Sequence, residues 1–149
     1  MAKRNITPPA YLLACLLLAV GIGLALPSLR LVPSPYRYMG VLLIAVGIWL
    51  NLWADHLFRH KKTTVKPFEQ PAALIEKGPF LFTRNPMYLG MIILLAGAAI
   101  AVGSVLSLIS PVLFFVIARF HFIPDEEKAM EETFGQKFLD YKSRIRRWL

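Results

Sequence analysis

The sequence predicts an all-α integral membrane protein with about four transmembrane helices, a tight hairpin formed by the last two, a cytosolic loop and a C-terminal amphipathic helix. Hydrophobic residues make up 56% of the 149 residues, and charged residues only 17%. Soluble domains are about 45–50% apolar, so this chain carries more apolar surface than a soluble fold of its size can bury. The length indicates one domain, residues 1–149, and the single cysteine excludes a disulfide scaffold.

Four apolar segments of roughly 17–21 residues are each long enough to cross a hydrocarbon core of about 30 Å as a helix. The predicted spans are 10–26, 38–58, 87–103 and 104–122. Because backbone groups in lipid need internal hydrogen bonds, and the segments lack barrel-type alternation, we expect helices. Gly103 and Ser104 leave almost no loop between the last two spans, which predicts the hairpin. The first segment follows Lys3 and Arg4 and also has the pattern of a signal peptide, although Pro27 disfavours cleavage there.

The basic residues predict the orientation of the spans. If the N-terminus is cytosolic, the cytosolic side carries all but Arg30 and Arg37 of the 17 Lys and Arg residues, as the positive-inside rule expects. Both termini are therefore expected in the cytosol. The net charge of +8 is accounted for by anionic lipid headgroups. No groove-reading motif is present, so nucleic acid is not an expected partner.

Asp55, His56 and His60, in the second span and just after it, raise the question of a metal or transport site. One carboxylate and two histidines beside lysines make a weak ligand set, so no metal is predicted. Small cation exporters need an ionisable group inside the membrane, and Asp55 lies only near the end of its span. The polar chemistry is therefore expected on the cytosolic face.

Two segments are predicted to form that face. The loop from Arg59 to Pro86 is long and partly apolar, which predicts either an interfacial loop on the headgroups or a lid over a site. After Phe122, a proline and acidic residues precede an apolar stripe of helical period, which predicts an amphipathic helix over about 124–145. Gly135 interrupts this pattern and marks a candidate bend. The stripe consists of Met130, Phe134, Phe138, Tyr141 and Ile145.

Several residues here allow a structural and a functional interpretation. Glu126 and Glu127 are either acidic residues of a helical first turn or paired acceptors for a ligand at the end of the fourth span. Asn85 before a proline is either a helix cap or a site residue. Tyr88 is also typical of an aromatic belt, and Gly90 with Gly97 of a packing seam. His121 is either interfacial or a polar site residue.

Two motifs resemble a known family. Residues 78–90, GPFLFTRNPMYLG, resemble the GPYxxxRHPxYxG signature of isoprenylcysteine carboxyl methyltransferases. Residues 126–148 are similar to the EExxLxxxFGxxYxxY element of that family, and Thr63–Pro67 is similar to the loop of its bacterial members. Asn85 stands where the family has histidine, and its Asn-Pro-Met-Tyr sequence also resembles phospholipid N-methyltransferases of the same superfamily.

The resemblance implies a membrane methyltransferase that uses S-adenosylmethionine and acts on a lipophilic acceptor, by carboxyl O-methylation of a prenylcysteine-like group or N-methylation of a phospholipid amine. It implies a cofactor covered by the loop and the C-terminal helix. The cofactor-binding residues implied are Arg84, Asn85, Pro86, Tyr88, Gly90, His121, Glu126 and Glu127, and the catalytic residues are Glu127, His121 and Arg119. The alternatives are a non-enzymatic four-helix transporter or assembly module and a nicotinamide-dependent reductase of the same superfamily.

Overall fold

The computed structural model describes residues 7–27, 30–61 and 72–149, and every regular element in these ranges is helical. Lys3 and Arg4, and the part of the predicted loop that contains Thr63–Pro67, lie outside the described residues. The helices are α1 (Pro8–Ala25), α2 (Ser34–His60), α3 (Pro86–Val102), α4 (Ile109–Ile117), α5 (Ile123–Phe134) and α6 (Gln136–Arg144). Short 3₁₀ turns cover Gly78–Leu81 and Leu106–Leu108, and a π turn covers Ala118–Phe122.

Three helical stretches are long and apolar enough to cross a membrane: Pro8–Ala25, Ser34–His60 and Leu106–Phe134. The third predicted span corresponds to α3, which is apolar but has 17 residues. At a rise of 1.5 Å per residue, α3 is about 25 Å long, somewhat less than the about 30 Å of a hydrocarbon core. The number of four spans therefore remains a prediction.

The chain does not leave its helix after the fourth predicted span, and this corrects the expected boundary at residue 122. Helix α4 continues through the π turn into α5, so that Leu106–Phe134 forms one helical stretch of 29 residues. Pro124 has no N–H, and its ring would contact the carbonyl four residues earlier in a regular α-helix. The wider π turn immediately before it changes the hydrogen-bond register and gives the ring room.

The predicted amphipathic helix is two helices with a bend at Gly135. Helix α5 ends at Phe134, and α6 begins at Gln136. Gly135 has φ +51° and ψ −127°, a conformation that residues with a Cβ rarely adopt. The bend predicted at this glycine is therefore confirmed, whereas the single helix over 124–145 is wrong.

Helices α2 and α3 pack closely through glycines. A Cβ added to Gly97 would lie 2.6 Å from the carbonyl oxygen of Gly40, and one added to Gly47 would lie 2.5 Å from that of Gly90. The two glycines of each helix are seven residues apart, which places them on one helical face. Small residues let helix backbones approach closely in membranes, where packing rather than burial drives association. The packing-seam interpretation of Gly90 and Gly97 is thus the one that the structure supports.

The main core lies between α1, α3 and the α4–α5 stretch. Its buried residues are Cys15, Tyr88, Met91, Leu95, Phe114, Ala118, Phe122 and Ile123. The hydroxyl of Ser107 donates to the carbonyl oxygen of Ala19 at 2.7 Å and ties the 3₁₀ turn before α4 to α1. On α2, in contrast, large apolar side chains such as Trp49 and Leu52 are exposed, as expected for a helix that faces lipid.

The end of the predicted loop packs against protein. Ile75 and Phe80 are buried with Ala54 of α2, and the rings of Phe58 and Phe80 meet edge to face at 5.5 Å. The apolar residues around the 3₁₀ turn Gly78–Leu81 therefore cover the end of α2 and hold the chain that leads into α3.

Candidate active site

Polar side chains gather where α3 begins and α5 passes beside it. Pro86 opens α3, as its fixed φ allows, but the side chain of Asn85 makes no capping hydrogen bond. Its Nδ2 instead donates to the carbonyl oxygen of Arg147 at 3.0 Å, and its backbone N–H donates to Thr83 Oγ1 at 3.2 Å. Asn85 is therefore the N-cap residue of α3 by position, but its amide makes a tertiary contact in place of a capping hydrogen bond.

Tyr88 connects α3 to α5. Its side chain is 6% exposed, and its hydroxyl donates a hydrogen bond of 2.6 Å to Glu126 Oε1. Its ring stacks on Phe122 with centroids 6.1 Å apart and planes 18° from parallel. A belt tyrosine has its ring at the water interface. Tyr88 is instead a buried residue that orients a carboxylate.

Glu127 lies between two arginines. Arg147 donates to both carboxylate oxygens, Nε to Oε1 at 3.0 Å and Nη2 to Oε2 at 2.7 Å, in the bidentate geometry of strong charge-assisted pairs. Arg84 Nη1 lies 3.1 Å from Oε1. The side chains of Glu127 and Arg84 are 11% and 10% exposed, so this ion cluster is largely shielded from water.

The two glutamates lie within a continuous helical stretch and not at a free helix end. Residues 118–122 before α5 are already helical, so α5 does not begin at a free end where acidic residues would only compensate the helix dipole. Neighbouring residues on a helix point about 100° apart. Glu126 and Glu127 accordingly contact different partners: Tyr88 on one side and the two arginines on the other.

Arg84 has hydrogen-bonding capacity that the described part of the chain does not use. Its Nε and Nη1 are buried without a hydrogen-bond partner among the described residues, because the Nη1–H does not point at the nearby Glu127 oxygen. Glu126 likewise has no cation within ion-pair distance in the described ranges. Buried donors and carboxylates normally have partners. An anionic and a cationic group of a ligand would satisfy Arg84 and Glu126 respectively.

The residues after α6 complete this cluster, and sequence reasoning did not assign them a role. The backbone N–H of Arg84 donates to the carbonyl oxygen of Arg146 at 3.0 Å, and Thr83 Oγ1 donates to that of Arg147 at 3.0 Å. The ring of Trp148 packs against Phe115 at 4.9 Å. In the sequence, the basic Arg146-Arg147 pair was the sign of this role, because a glutamate that is buried needs a cation as its partner.

Helix α6 positions these residues. Tyr141 donates its phenolic hydrogen to the carbonyl oxygen of Phe80 at 2.8 Å, and burial raises the pKa of the phenol, which keeps it a donor. Arg144 Nη2 lies 2.7 Å from Glu76 Oε2. Both contacts join α6 to the segment around the 3₁₀ turn before α3. An open groove of about 450 Å³ runs beside Glu127 and Arg147, between α5 and α6.

The structure brings five of the predicted site residues together and places others elsewhere. Those brought together are Arg84, Asn85, Tyr88, Glu126 and Glu127. Gly90 faces α2, where an added Cβ would collide with Asn51. Arg119 lies over the exposed ring of Phe120, at 5.6 Å. His121 is exposed and lies edge-on to the rings of Phe122 and Tyr11, at 4.9 and 6.4 Å.

The architecture is thus an all-helical membrane-type bundle with a shielded acid–arginine cluster at one end. The family described as phospholipid methyltransferase matches residues 36–137, more than half of the chain. The chain therefore belongs to the phospholipid methyltransferase family. The apolar helices together with this family make it an integral membrane protein.

Two individual proteins are similar to parts of this chain. The chain is 29% identical over 115 residues to the protein-S-isoprenylcysteine O-methyltransferase of Saccharomyces cerevisiae, an alignment that covers 72% of this chain and 46% of the yeast protein. An uncharacterized protein of Haemophilus influenzae is 30% identical over 63 residues, which are 42% of this chain and 100% of that protein. No solved structure matches. The chain thus spans less than half the length of the yeast relative.

Proposed function

We propose that this protein is an S-adenosylmethionine-dependent methyltransferase that acts on a lipophilic acceptor in the membrane. The observation that carries the proposal is the pairing, among the residues that the structure describes, of two buried guanidinium nitrogens of Arg84 that lack a hydrogen-bond partner with the Glu126 carboxylate, which has no cation beside it, in a chain of the phospholipid methyltransferase family. The methionine part of the cofactor carries one carboxylate and two cationic centres, the ammonium and the sulfonium. The donor set of Arg84 and Glu126 fits that distribution of charge.

Three residues of the cluster have a defined part in this proposal. S-adenosylmethionine supplies a methyl group that is already activated by its sulfonium sulfur. Arg84 binds the carboxylate of the cofactor, and Glu126 binds a cationic or hydroxyl group, as charge-assisted hydrogen bonds favour. Tyr88 holds Glu126 in one orientation. Alignment of methyl group and acceptor contributes up to roughly 7–11 kcal/mol in ideal cases, so fixed side chains matter more than acid–base chemistry here.

The acceptor is proposed to be a prenylcysteine-like carboxylate or a phospholipid amine. A carboxylate attacks the methyl group without losing a proton, whereas an ammonium group must first be deprotonated. His121 is the proposed proton acceptor for an amine, because it is exposed next to Phe122, whose ring also stacks on that of Tyr88. Arg119, close by in the π turn, is proposed to contact the anionic group of the acceptor.

The orientation of the protein in the membrane follows from the same proposal. The cluster lies at the end of the bundle near the basic residues of α6 and the segment after it, which belong on the cytosolic side by the positive-inside rule. Both termini are then cytosolic, and the membrane is proposed to be a bacterial inner membrane. A water-soluble cofactor reaches the cluster from the cytosol, and a lipophilic acceptor reaches it from the bilayer.

Calorimetry on detergent-solubilised protein tests the assignment of Glu126. Glu126→Gln is expected to weaken S-adenosylmethionine binding by roughly tenfold or more, since a hydrogen bond to a charged group contributes about 1.5–3 kcal/mol. Asp125→Asn is the matched control, because it removes the same charge from the neighbouring, exposed position. Equal affinities of the two variants would contradict the assignment. Absence of binding to the unmodified protein would contradict the proposed cofactor itself.

The acceptor is identified by transfer of label. Membranes that contain the protein are incubated with methyl-labelled cofactor and then separated into lipid and protein fractions. Base-stable label in a phospholipid amine indicates N-methylation, and base-labile methyl ester indicates O-methylation. A membrane preparation that binds the cofactor but transfers no label to either fraction would refute a lipophilic acceptor.

A further inference from the structure

The segment after α6, residues 145–149, is bound to the cluster at several points. The carbonyl oxygens of Arg146 and Arg147 accept three hydrogen bonds of 3.0 Å, from the backbone N–H of Arg84, the hydroxyl of Thr83 and the amide of Asn85. The backbone N–H of Arg84, the hydroxyl of Thr83 and one N–H of the Asn85 amide are thus used within the chain, whereas two nitrogens of the Arg84 guanidinium are not. We call residues 145–149 the tail.

Side chains of the tail bind on both sides of this backbone contact. Arg147 makes two hydrogen bonds to Glu127, at 3.0 and 2.7 Å. Trp148 contacts Phe115 and packs against the main core. The tail is therefore held by α4, α5 and the segment before α3 at once. These contacts describe a fixed wall of the cluster rather than a flap resting on it.

The docked tail gives the two glutamates different binding partners. Both oxygens of Glu127 are bound by Arg147, and one of them also lies beside Arg84. Among the described residues, Glu126 has a single side-chain hydrogen bond, from the hydroxyl of Tyr88. Glu127 is consequently saturated by the chain itself, and Glu126 retains capacity for a ligand.

We propose that Arg147 is a positioning residue of the methyl-donor site. By joining Glu127 to the segment 83–85, it sets the spacing between Arg84 and Glu126, the two groups that bind the donor. This inference rests on the proposed function and deepens it, because it gives Glu127 a structural task that binding of the cofactor does not require. The tail lies beyond residues 36–137, the range that matches the family. The match therefore assigns no role to Arg147, and the positioning role rests on the contacts described above.

A double-mutant cycle measured with S-adenosylhomocysteine, which binds without turnover, tests the proposal. Arg147→Gln and Glu127→Gln are each expected to weaken binding by about tenfold or more. The double variant is expected to bind no more weakly than either single one, since both break the same link. Arg147→Lys keeps one ion-pair contact and is expected to lie between the native protein and Arg147→Gln. Arg146→Gln removes the same charge from an exposed side chain and is the matched control.

Other outcomes overturn the proposal. Multiplicative losses in the double variant would mean that Glu127 and Arg147 contact the ligand independently. Tighter binding in Arg147→Gln would mean that the tail competes with the ligand. Native affinity in Arg147→Gln would mean that the tail is irrelevant to the site. If Arg147→Gln does not fold, the comparison of Arg147→Lys with Arg146→Gln decides, and equal affinity of those two variants overturns the proposal.

Hydrogen–deuterium exchange of the ligand-free protein separates this inference from the proposed function. The backbone N–H of Arg84 is bonded to the tail, so its exchange is expected to be at least several-fold faster in Arg147→Gln than in Arg146→Gln. Unchanged exchange would refute the link between Arg147 and the segment. Faster exchange in a protein that binds no S-adenosylhomocysteine would refute the cofactor and the positioning role while confirming the docked tail.

Discussion

Gly97 provides the sharpest quantitative test of how the bundle is assembled. In Gly97→Ala, the new Cβ would lie 2.6 Å from the carbonyl oxygen of Gly40 and 2.7 Å from the backbone nitrogen of Ile44. Ordinary van der Waals contact begins near 3.4 Å, so α2 and α3 must separate by about 0.8 Å. These two atoms belong to the main chain, and the next, at 2.9 Å, is Cβ of Leu43, so no side-chain rotation removes the collision.

Two terms set the magnitude of the effect. Overpacking of a close contact costs about 1–3 kcal/mol. Alanine in place of glycine within a helix contributes about 0.5–1 kcal/mol in the opposite direction. Gly21 of α1 separates these terms, because a Cβ added there has nothing within 4 Å. The helix-propensity term cancels between Gly97→Ala and Gly21→Ala, and the first is expected to be about 1–3 kcal/mol less stable than the second.

Reversible unfolding in mixed micelles, followed by circular dichroism of the helices, measures this difference. Gly21→Ala is expected to be as stable as the native protein or slightly more stable. Equal free energies of unfolding for the two variants would show that α2 and α3 are not in backbone contact. That result would refute the glycine seam, and with it the placement of Gly90 away from the acid–arginine cluster.

Two further predictions concern the cluster. Tyr88→Phe removes the 2.6 Å hydrogen bond to Glu126 and is expected to cost about 1.5–3 kcal/mol in calorimetric cofactor binding, whereas Tyr38→Phe, at an exposed position, changes nothing. Equal affinities would mean that Tyr88 does not orient Glu126. Trp148→Ala is expected to lower the free energy of unfolding in micelles by about 2 kcal/mol, part of the about 3–5 typical of a fully buried aromatic residue. Trp49→Ala on the exposed face of α2 is its control, and an equal effect there would contradict docking of the tail.

Much of the helical layout was accessible from the sequence. Apolar runs without charges have few alternatives to helices in a membrane, so the positions of α1, α2 and α3 agree with the predicted spans to within a few residues. Gly135 indicated a bend for a purely local reason, the cost of positive φ for residues with a Cβ. The boundary after Phe122 failed because a π turn accommodates Pro124, and hydropathy contains no signal for helical register.

The candidate site was accessible only in part. The two motifs named Arg84, Asn85, Tyr88 and both glutamates, and these residues do lie together. They were grouped because their motifs resemble those of a family, and not because of their spacing in the chain. Gly90 was grouped with them by its place in the motif, but a helix turns about 200° over two residues, and Gly90 therefore faces α2 rather than the side of Tyr88.

By itself, the sequence determined what depends on neighbouring residues: which segments are apolar, where a proline opens a helix and where a glycine allows a bend. The tertiary structure decided what depends on residues far apart in the chain. Tyr88 and Glu126 are 38 positions apart, and Asn85 and Arg147 are 62 apart. No local preference selects such partners, since they meet only when the helices have packed. For that reason, two adjacent glutamates that look equivalent in the sequence have different surroundings: Glu127 is bound by two arginines, and Glu126 by the hydroxyl of Tyr88.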